Sequence, residues 1–154
     1  MAALTELSGQ DLGTATVRIE SGPVRVFAEA VKDRSPQYRE EHALVPPTFP
    51  FVWGYWGTIV GKTKGLPIDR LRGTGRMILH GEQEFVYHRP ARVGDVLEGS
   101  SRITDVYEKD TPSALMEFYV QETSWKDAST GEPVVDVKFT LIVRDTGVKQ
   151  SASG

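Results

Sequence analysis

From Thr14 to Glu20 the chain alternates Ala15, Val17 and Ile19 with Thr16, Arg18 and Glu20, the period-two pattern of a half-buried strand. Ser21-Gly22-Pro23 then opens a helix on which Val24, Phe27, Ala28 and Val31 stand at i, i+3, i+4 and i+7, and Pro36 stops it at or before Ser35. Asp33-Arg34-Ser35-Pro36 reads as a turn, and Gln37 to His42 as a polar one-turn segment. The pattern changes after that. Between Phe49 and Gly61 no side chain is charged and apolar residues fall on every side, as in a helix buried all round. Pro46 and Pro47 stiffen an extended approach, Thr48 is placed to cap the first free amides, and Pro50 is tolerated in a first turn whose N–H groups are orphaned anyway. The spacing predicts a core helix from Thr48 to Lys62, about 20 Å long from Pro50 onward and too short to cross a bilayer.

Lys62 to Gly75, rich in Gly, Lys and Arg around Leu66-Pro67-Ile68, reads as a surface loop of a kind that also serves as a lid. Four strand-like runs follow with no helical period between them: Met77 to His88, Val96 to Glu108, Leu115 to Trp125 and Val134 to Val143. In the first, Met77, Leu79, Gln83, Phe85 and Tyr87 alternate against Ile78, His80, Glu82, Glu84 and Val86. In the last, Val135, Val137, Phe139, Leu141 and Val143 share a face. A strand, a short helix, a long apolar helix and three consecutive hairpins predict an α+β domain whose antiparallel sheet wraps one helix. Residues 1–13 are expected to be a flexible N-terminal arm, 14–146 the single domain, and 147–154 a disordered tail.

Gly54, Gly57 and Gly61 lie at helical spacing and form one bare strip, each costing about 1 kcal/mol relative to Ala, on which a curved sheet or an acyl chain can approach the backbone. The 154 residues suffice for one core, and the 39% hydrophobic and 25% charged shares are ordinary for a globular chain. A net charge of −3 without a basic cluster argues against nucleic acid. With no cysteine, disulfides and thiolate chemistry drop out, and zinc would have to rely on His42, His80 and His88, which lack paired spacing. The start of the chain has no basic segment followed by an apolar run, so the expected location is the cytoplasm, without a membrane partner.

Three strings carry a resemblance. Phe27 to Tyr38 (Phe-Ala-Glu-Ala-Val-Lys-Asp-Arg-Ser-Pro-Gln-Tyr), Val45 to Phe49 (Val-Pro-Pro-Thr-Phe), and His80-Gly81-Glu82-Gln83-Glu84-Phe85 with Arg89 to Asp95 after it are similar to segments of the MaoC-like dehydratases. The chain resembles the N-terminal half of fused acyl dehydratases and the small subunits of mycobacterial-type fatty-acid dehydratases, over roughly Thr16 to Arg144. The resemblance implies a hotdog fold and chemistry on a trans-2-enoyl or 3-hydroxyacyl thioester of CoA or acyl carrier protein, with no cofactor. In active members the first segment reads Asp-x-Asn-Pro-x-His. The Asp and His handle a water while a backbone amide at the helix entry polarises the thioester carbonyl. Here Asp33 and Pro36 match, Ser35 stands at the Asn, and Tyr38 stands at the His. A phenol holds its proton at neutral pH, so it donates readily but is a poor base for water. Pro46-Pro47 occupies the register of the usual His-Gly pair, which moves any oxyanion donor to Thr48 or Phe49.

By this resemblance the site residues are Asp33 and Tyr38 for catalysis, and Thr48, Phe49, Trp53, Gly57, His80 and Gln83 for substrate. Glu82, Glu84, His42 and His88 are weaker candidates. The leading reading is a substrate-tunnel subunit of an (R)-type enoyl-thioester hydratase or 3-hydroxyacyl-thioester dehydratase, paired with a catalytic hotdog partner. The alternatives are a self-sufficient homodimer using Asp33, Tyr38 and His80, and a hotdog that binds acyl thioesters without chemistry. A hotdog thioesterase is disfavoured because Phe49 to Gly61 carries no Asp or Glu.

Overall fold

The computed structural model describes residues 3–56, 58–60 and 64–147. Strands β1 (Asp11–Arg18), β2 (Thr58–Val60), β3 (Arg76–Tyr87), β4 (Val96–Asp110), β5 (Leu115–Asp127) and β6 (Pro133–Asp145) form one antiparallel sheet in the order β2-β1-β4-β5-β6-β3. Helix α1 (Ser21–Ala30) follows β1, and two single-turn helices, α2 (Trp53–Trp56) and α3 (Ile68–Leu71), flank β2. The chain is α+β, as its patterning predicts. On α1, Val24 and Ala28 are buried, whereas Val31 caps the helix and is 51% exposed.

The helix expected from Thr48 to Lys62 does not form in one piece. A 3-10 turn at Phe49–Phe51 leads into α2, and Thr58–Val60 then joins β1 as an edge strand. Thr48 makes no side-chain cap. The physical reason lies in the sequence: glycine at 54 and 57 weakens a helix by about 1 kcal/mol per residue, and the β-branched run Thr58-Ile59-Val60 favours the ladder that β1 offers. The helical segment is nevertheless the apolar body under the sheet, with Phe49 and Trp53 fully buried.

Of the three expected hairpins, β4-β5 and β5-β6 form, but β3 pairs with β6 and becomes the far edge of the sheet. A bulge between His80 and Glu82 shifts its phase. As a result Ile78 and His80 share the inner face with Gln83, Phe85 and Tyr87, while Met77 and Leu79 turn outward, which corrects the unbroken alternation read from the sequence. Gly81 fits the bulge because a Cβ there would stand 2.6 Å from the Ile142 Cδ1 and 2.9 Å from the Thr140 carbonyl.

The core falls into two clusters. One gathers Val17, Ile19, Val24, Phe49, Trp53, Leu97, Trp125 and Val135. The other gathers Leu7, Leu12, Leu71, Ile103, Tyr119 and Val143. The second cluster overturns the flexible arm expected at 1–13, because Leu7 and Leu12 are buried and β1 already begins at Asp11. The Leu4 amide donates to the Tyr119 hydroxyl at 3.2 Å, and the Ala3 amide donates to Glu108. Tyr119 in turn donates to Glu117 at 2.6 Å, whose carboxylate joins the buried Arg76 guanidinium and Asp145. Burial pushes the Asp145 carboxyl up, but Arg76 and the Gly147 amide hold it below its ordinary range. Of the 62–75 segment, the described residues from Lys64 onward are likewise anchored, by Leu66 and Leu71. Of the tail expected to be disordered, 148–154 lie outside the described residues.

Candidate functional site

A cavity of about 620 Å³ lies between the helical segment and the sheet, and residues of both core clusters line it. Phe51, Trp53 and Gly54 form the helical side, Leu66 and Ile68 close one flank, and Trp125, Val137, Phe139 and Leu141 form much of the sheet side. That volume is within the range of about 300–1,000 Å³ typical of small-ligand sites. Trp53 meets Trp125 edge-on at 5.2 Å between ring centroids, and Trp125 lies over Gly99, where a Cβ would stand 2.6 Å from the indole. The glycine is therefore what lets the indole lie flat against β4. Among the described residues that line the cavity, Lys64 is the only one with an ionisable side chain.

The cavity floor is polar at its centre. Ser101 on β4 and Thr123 on β5 are register partners, and their hydroxyls are 2.6 Å apart. Gln121 stands two residues before Thr123 on the same inner face. Sequence reading missed these three. The available signal was the polar pair Gln121 and Thr123 at the core-facing step between Tyr119 and Trp125.

Asp33 and Tyr38 are elsewhere, after the C-terminus of α1, and neither lines the cavity. Lys32 adopts a left-handed φ of 61°, and the chain then turns so that Asp33 Oδ1 accepts from the Ser35 amide at 3.0 Å and from the Ser35 hydroxyl at 2.6 Å. These two bonds, and more weakly the Tyr38 hydroxyl, hold the Asp33 carboxyl below its ordinary range. Tyr38 is 6% exposed. The structure thus brings the two together, on a turn that satisfies itself.

The substrate candidates divide. Trp53 lines the cavity. Phe49 is buried behind it, edge-on to Phe27 at 5.3 Å, and its amide donates to the Pro46 carbonyl at 3.0 Å, which leaves Thr48 as the remaining amide of that pair. Thr48 is exposed at the helix entry, which Tyr87 ties to the edge strand by donating to the Pro47 carbonyl at 2.8 Å. Gly57 lies outside the described residues, as does Gly61; of the glycine strip only Gly54 is seen, on the cavity wall. His80 is exposed and packs edge-on against Phe51 at 5.0 Å and Phe139 at 4.7 Å, one layer out from the cavity. Gln83 flanks the same bulge. Its Nε2 donates to the Lys138 carbonyl at 3.0 Å, while its buried Oε1 has no donor among the described residues. Glu82 and Glu84 are exposed on the outer face, His88 pairs with Asp136 at 2.8 Å, and His42 is exposed. No group of three His, Asp or Glu residues that could hold a metal occurs among the described residues, and none of their helices is long and apolar enough to cross a membrane.

With that geometry in hand, the chain can be set beside known proteins. A family profile described as FAS1-like, dehydratase domain region, matches residues 6–137. The chain is 32% identical over 133 residues to a UPF0336 protein of Saccharopolyspora erythraea, covering 80% of this chain and 79% of that one. Its fold is similar to that of the C-terminally truncated HadBC (3R-hydroxyacyl-ACP dehydratase) complex from Mycobacterium tuberculosis, with a TM-score of 0.66 and 22% identity, covering 88% of this chain and 96% of that chain. It is also similar to the MaoC-like dehydratase from Rhodospirillum rubrum, with a TM-score of 0.62 and 16% identity, covering 94% and 98%. The sheet wrapped on a buried helical segment is the hotdog fold of the MaoC-like dehydratases.

Proposed function

We propose, from the premise that the chain belongs to the FAS1-like dehydratase domain region family, that it is the substrate-tunnel subunit of an (R)-type enoyl-thioester hydratase or 3-hydroxyacyl-thioester dehydratase. Its substrate is an acyl-CoA or acyl-carrier-protein thioester, it works in the cytoplasm without a cofactor, and a catalytic hotdog partner supplies the Asp and His. The observation that carries this reading is the separation of room from acid–base groups. The 620 Å³ cavity accommodates an acyl chain and has no carboxylate or imidazole among its described lining residues. Asp33, the one residue that matches the family's acid–base pair, already accepts two bonds from Ser35. Thr48 at the helix entry and His80 and Gln83 at the bulge of β3 then handle the thioester end, close to where a partner adds.

The sheet ends on β3, an edge whose outer face exposes Met77 (55%), Leu79 (36%) and Val86 (47%). Such an edge needs covering, and a second hotdog covers it by extending the sheet. The decisive experiment compares hydration of crotonyl-CoA by the purified chain and by the chain with a hotdog partner carrying intact Asp and His. Turnover is expected to be weak alone and restored by the partner, with the chain at least dimeric by light scattering. Robust turnover of the chain alone, abolished by Asp33→Asn, would overturn the tunnel-subunit reading in favour of a homodimeric enzyme.

A further inference from the structure

The inner face of the sheet should be apolar where it backs a tunnel for a plain hydrocarbon chain. Here it is not. At the centre of the sheet, on its third and fourth strands, Ser101, Gln121 and Thr123 all face the cavity. Ser101 is 4% exposed and Thr123 9%, so both hydroxyls are removed from water. They satisfy each other at 2.6 Å, but one hydrogen makes that bond and the second hydroxyl hydrogen stays available for a further acceptor. The half-buried Gln121 side chain makes no hydrogen bond among the described residues, although its carboxamide offers two donors and an acceptor. From the helical side, Trp53 lines the same cavity, and its indole N–H is buried without an acceptor among the described residues. Filling such a cavity with a saturated chain would strip the carboxamide of water and leave the spare hydroxyl hydrogen and the indole N–H without an acceptor, and sites of that kind reject ligands that lack the matching polar atom.

We infer that the cavity selects an oxygenated acyl chain, one with a ketone, hydroxyl or ring oxygen several carbons beyond the thioester, over an unsubstituted chain of the same length. The inference rests on the tunnel reading for the thioester and adds the substrate class. The oxygen lies over the Ser101–Thr123 pair and within reach of the Gln121 carboxamide, while Trp125, Val137 and Phe139 pack the methylenes on either side. A cross-strand hydroxyl pair that serves only the sheet is the competing account.

The test uses the full chain with any partner that co-purifies, and reads quenching of tryptophan fluorescence, since Trp53 and Trp125 line the cavity. The probes are decanoyl-pantetheine, a set of oxodecanoyl-pantetheines with the ketone at carbons five to eight, and the thioester-free pair 5-nonanone and nonane. At least one oxo chain is expected to bind roughly tenfold tighter than decanoyl-pantetheine. The preference should disappear in Thr123→Val and in Gln121→Leu; the second variant, at a half-buried position, keeps the test alive should the first fail to fold. Equal or tighter binding of the unsubstituted chain overturns the inference and leaves thioester binding intact. Preference for 5-nonanone over nonane with no binding of any thioester supports the polar floor and overturns the proposed function instead. Binding of none of the probes overturns both.

Discussion

The Asp33 turn and the cavity floor are the two polar centres on which a functional reading of this chain has to choose, and they are built in opposite ways. At the turn, a carboxylate is closed off by its own neighbours, with Ser35 donating twice to Asp33 Oδ1 and Tyr38 packed beside it. On the floor, hydroxyls and a carboxamide face a large open volume with donors to spare. A catalytic acid or base has to meet its substrate, so the centre that holds the family's motif is the poorer candidate for touching one. The difference teaches that motif and room have parted in this chain: a turn can be kept for the bonds that end a helix, away from the cavity.

The largest expected effect comes from the cavity side. Trp53 is fully buried, packs edge-on to Trp125 and holds the helical segment against the sheet. Trp53→Ala should lower stability by about 3–5 kcal/mol, read by thermal or urea unfolding, and should abolish saturable binding of acyl-pantetheines. A variant that keeps its stability and binding would mean that the cavity wall is not the organising surface, and the comparison would fail.

A finer cut is Gly99→Ala. The added methyl would meet the Trp125 ring at 2.6–2.7 Å, and an aromatic ring buried in the core has little freedom to retreat except into the cavity. Overpacking of this kind costs about 1–3 kcal/mol. On the proposed function, the chain-length profile measured with a catalytic hotdog partner added should shift toward shorter acyl groups. Loss of stability with an unchanged length profile would show that the cavity near Trp125 does not take the chain.

Much of the architecture was legible because it rests on local physics. The alternation of β1 and β6, the amphipathic α1 and the apolar segment at Phe49 each announce themselves by period. What sequence could not show depends on non-local partners. The bulge at Gly81 reverses the phase of β3 because Gly81 must clear Ile142 and the Thr140 carbonyl, sixty residues away, and no periodicity contains that. The N-terminal arm lacks a period of its own, yet Leu7 and Leu12 are buried by surfaces that β4 and β5 supply. The run Thr58-Ile59-Val60 reads as helix or strand according to whether the edge of β1 is free. In the candidate site, Trp53 was named from the apolar helical segment and the resemblance together, whereas Ser101, Gln121 and Thr123 become one feature only once β4 and β5 are in register.

The smallest effect is expected at the turn, and its pH dependence distinguishes a structural carboxylate from a catalytic one. Asp33 has its carboxyl held below the ordinary value of 3.8 by bonds that exist only in the folded chain. A group whose pKa falls on folding stabilises the native state above its unfolded pKa, and that contribution is lost as pH drops through the folded value. The difference in melting temperature between the parent and Asp33→Asn should therefore be constant from pH 5 to 8 and shrink below about pH 4, where the parent carboxyl also takes up a proton. The shift should be smaller than that of Gly99→Ala, because the carboxylate is only half-buried and solvent screens part of its interaction. Hydration of crotonyl-CoA by the complex should change by less than about threefold across the same pair. A fall of a hundredfold or more, the scale at which loss of a general acid or base is felt, would return Asp33 to the chemistry and collapse the distinction between the two centres.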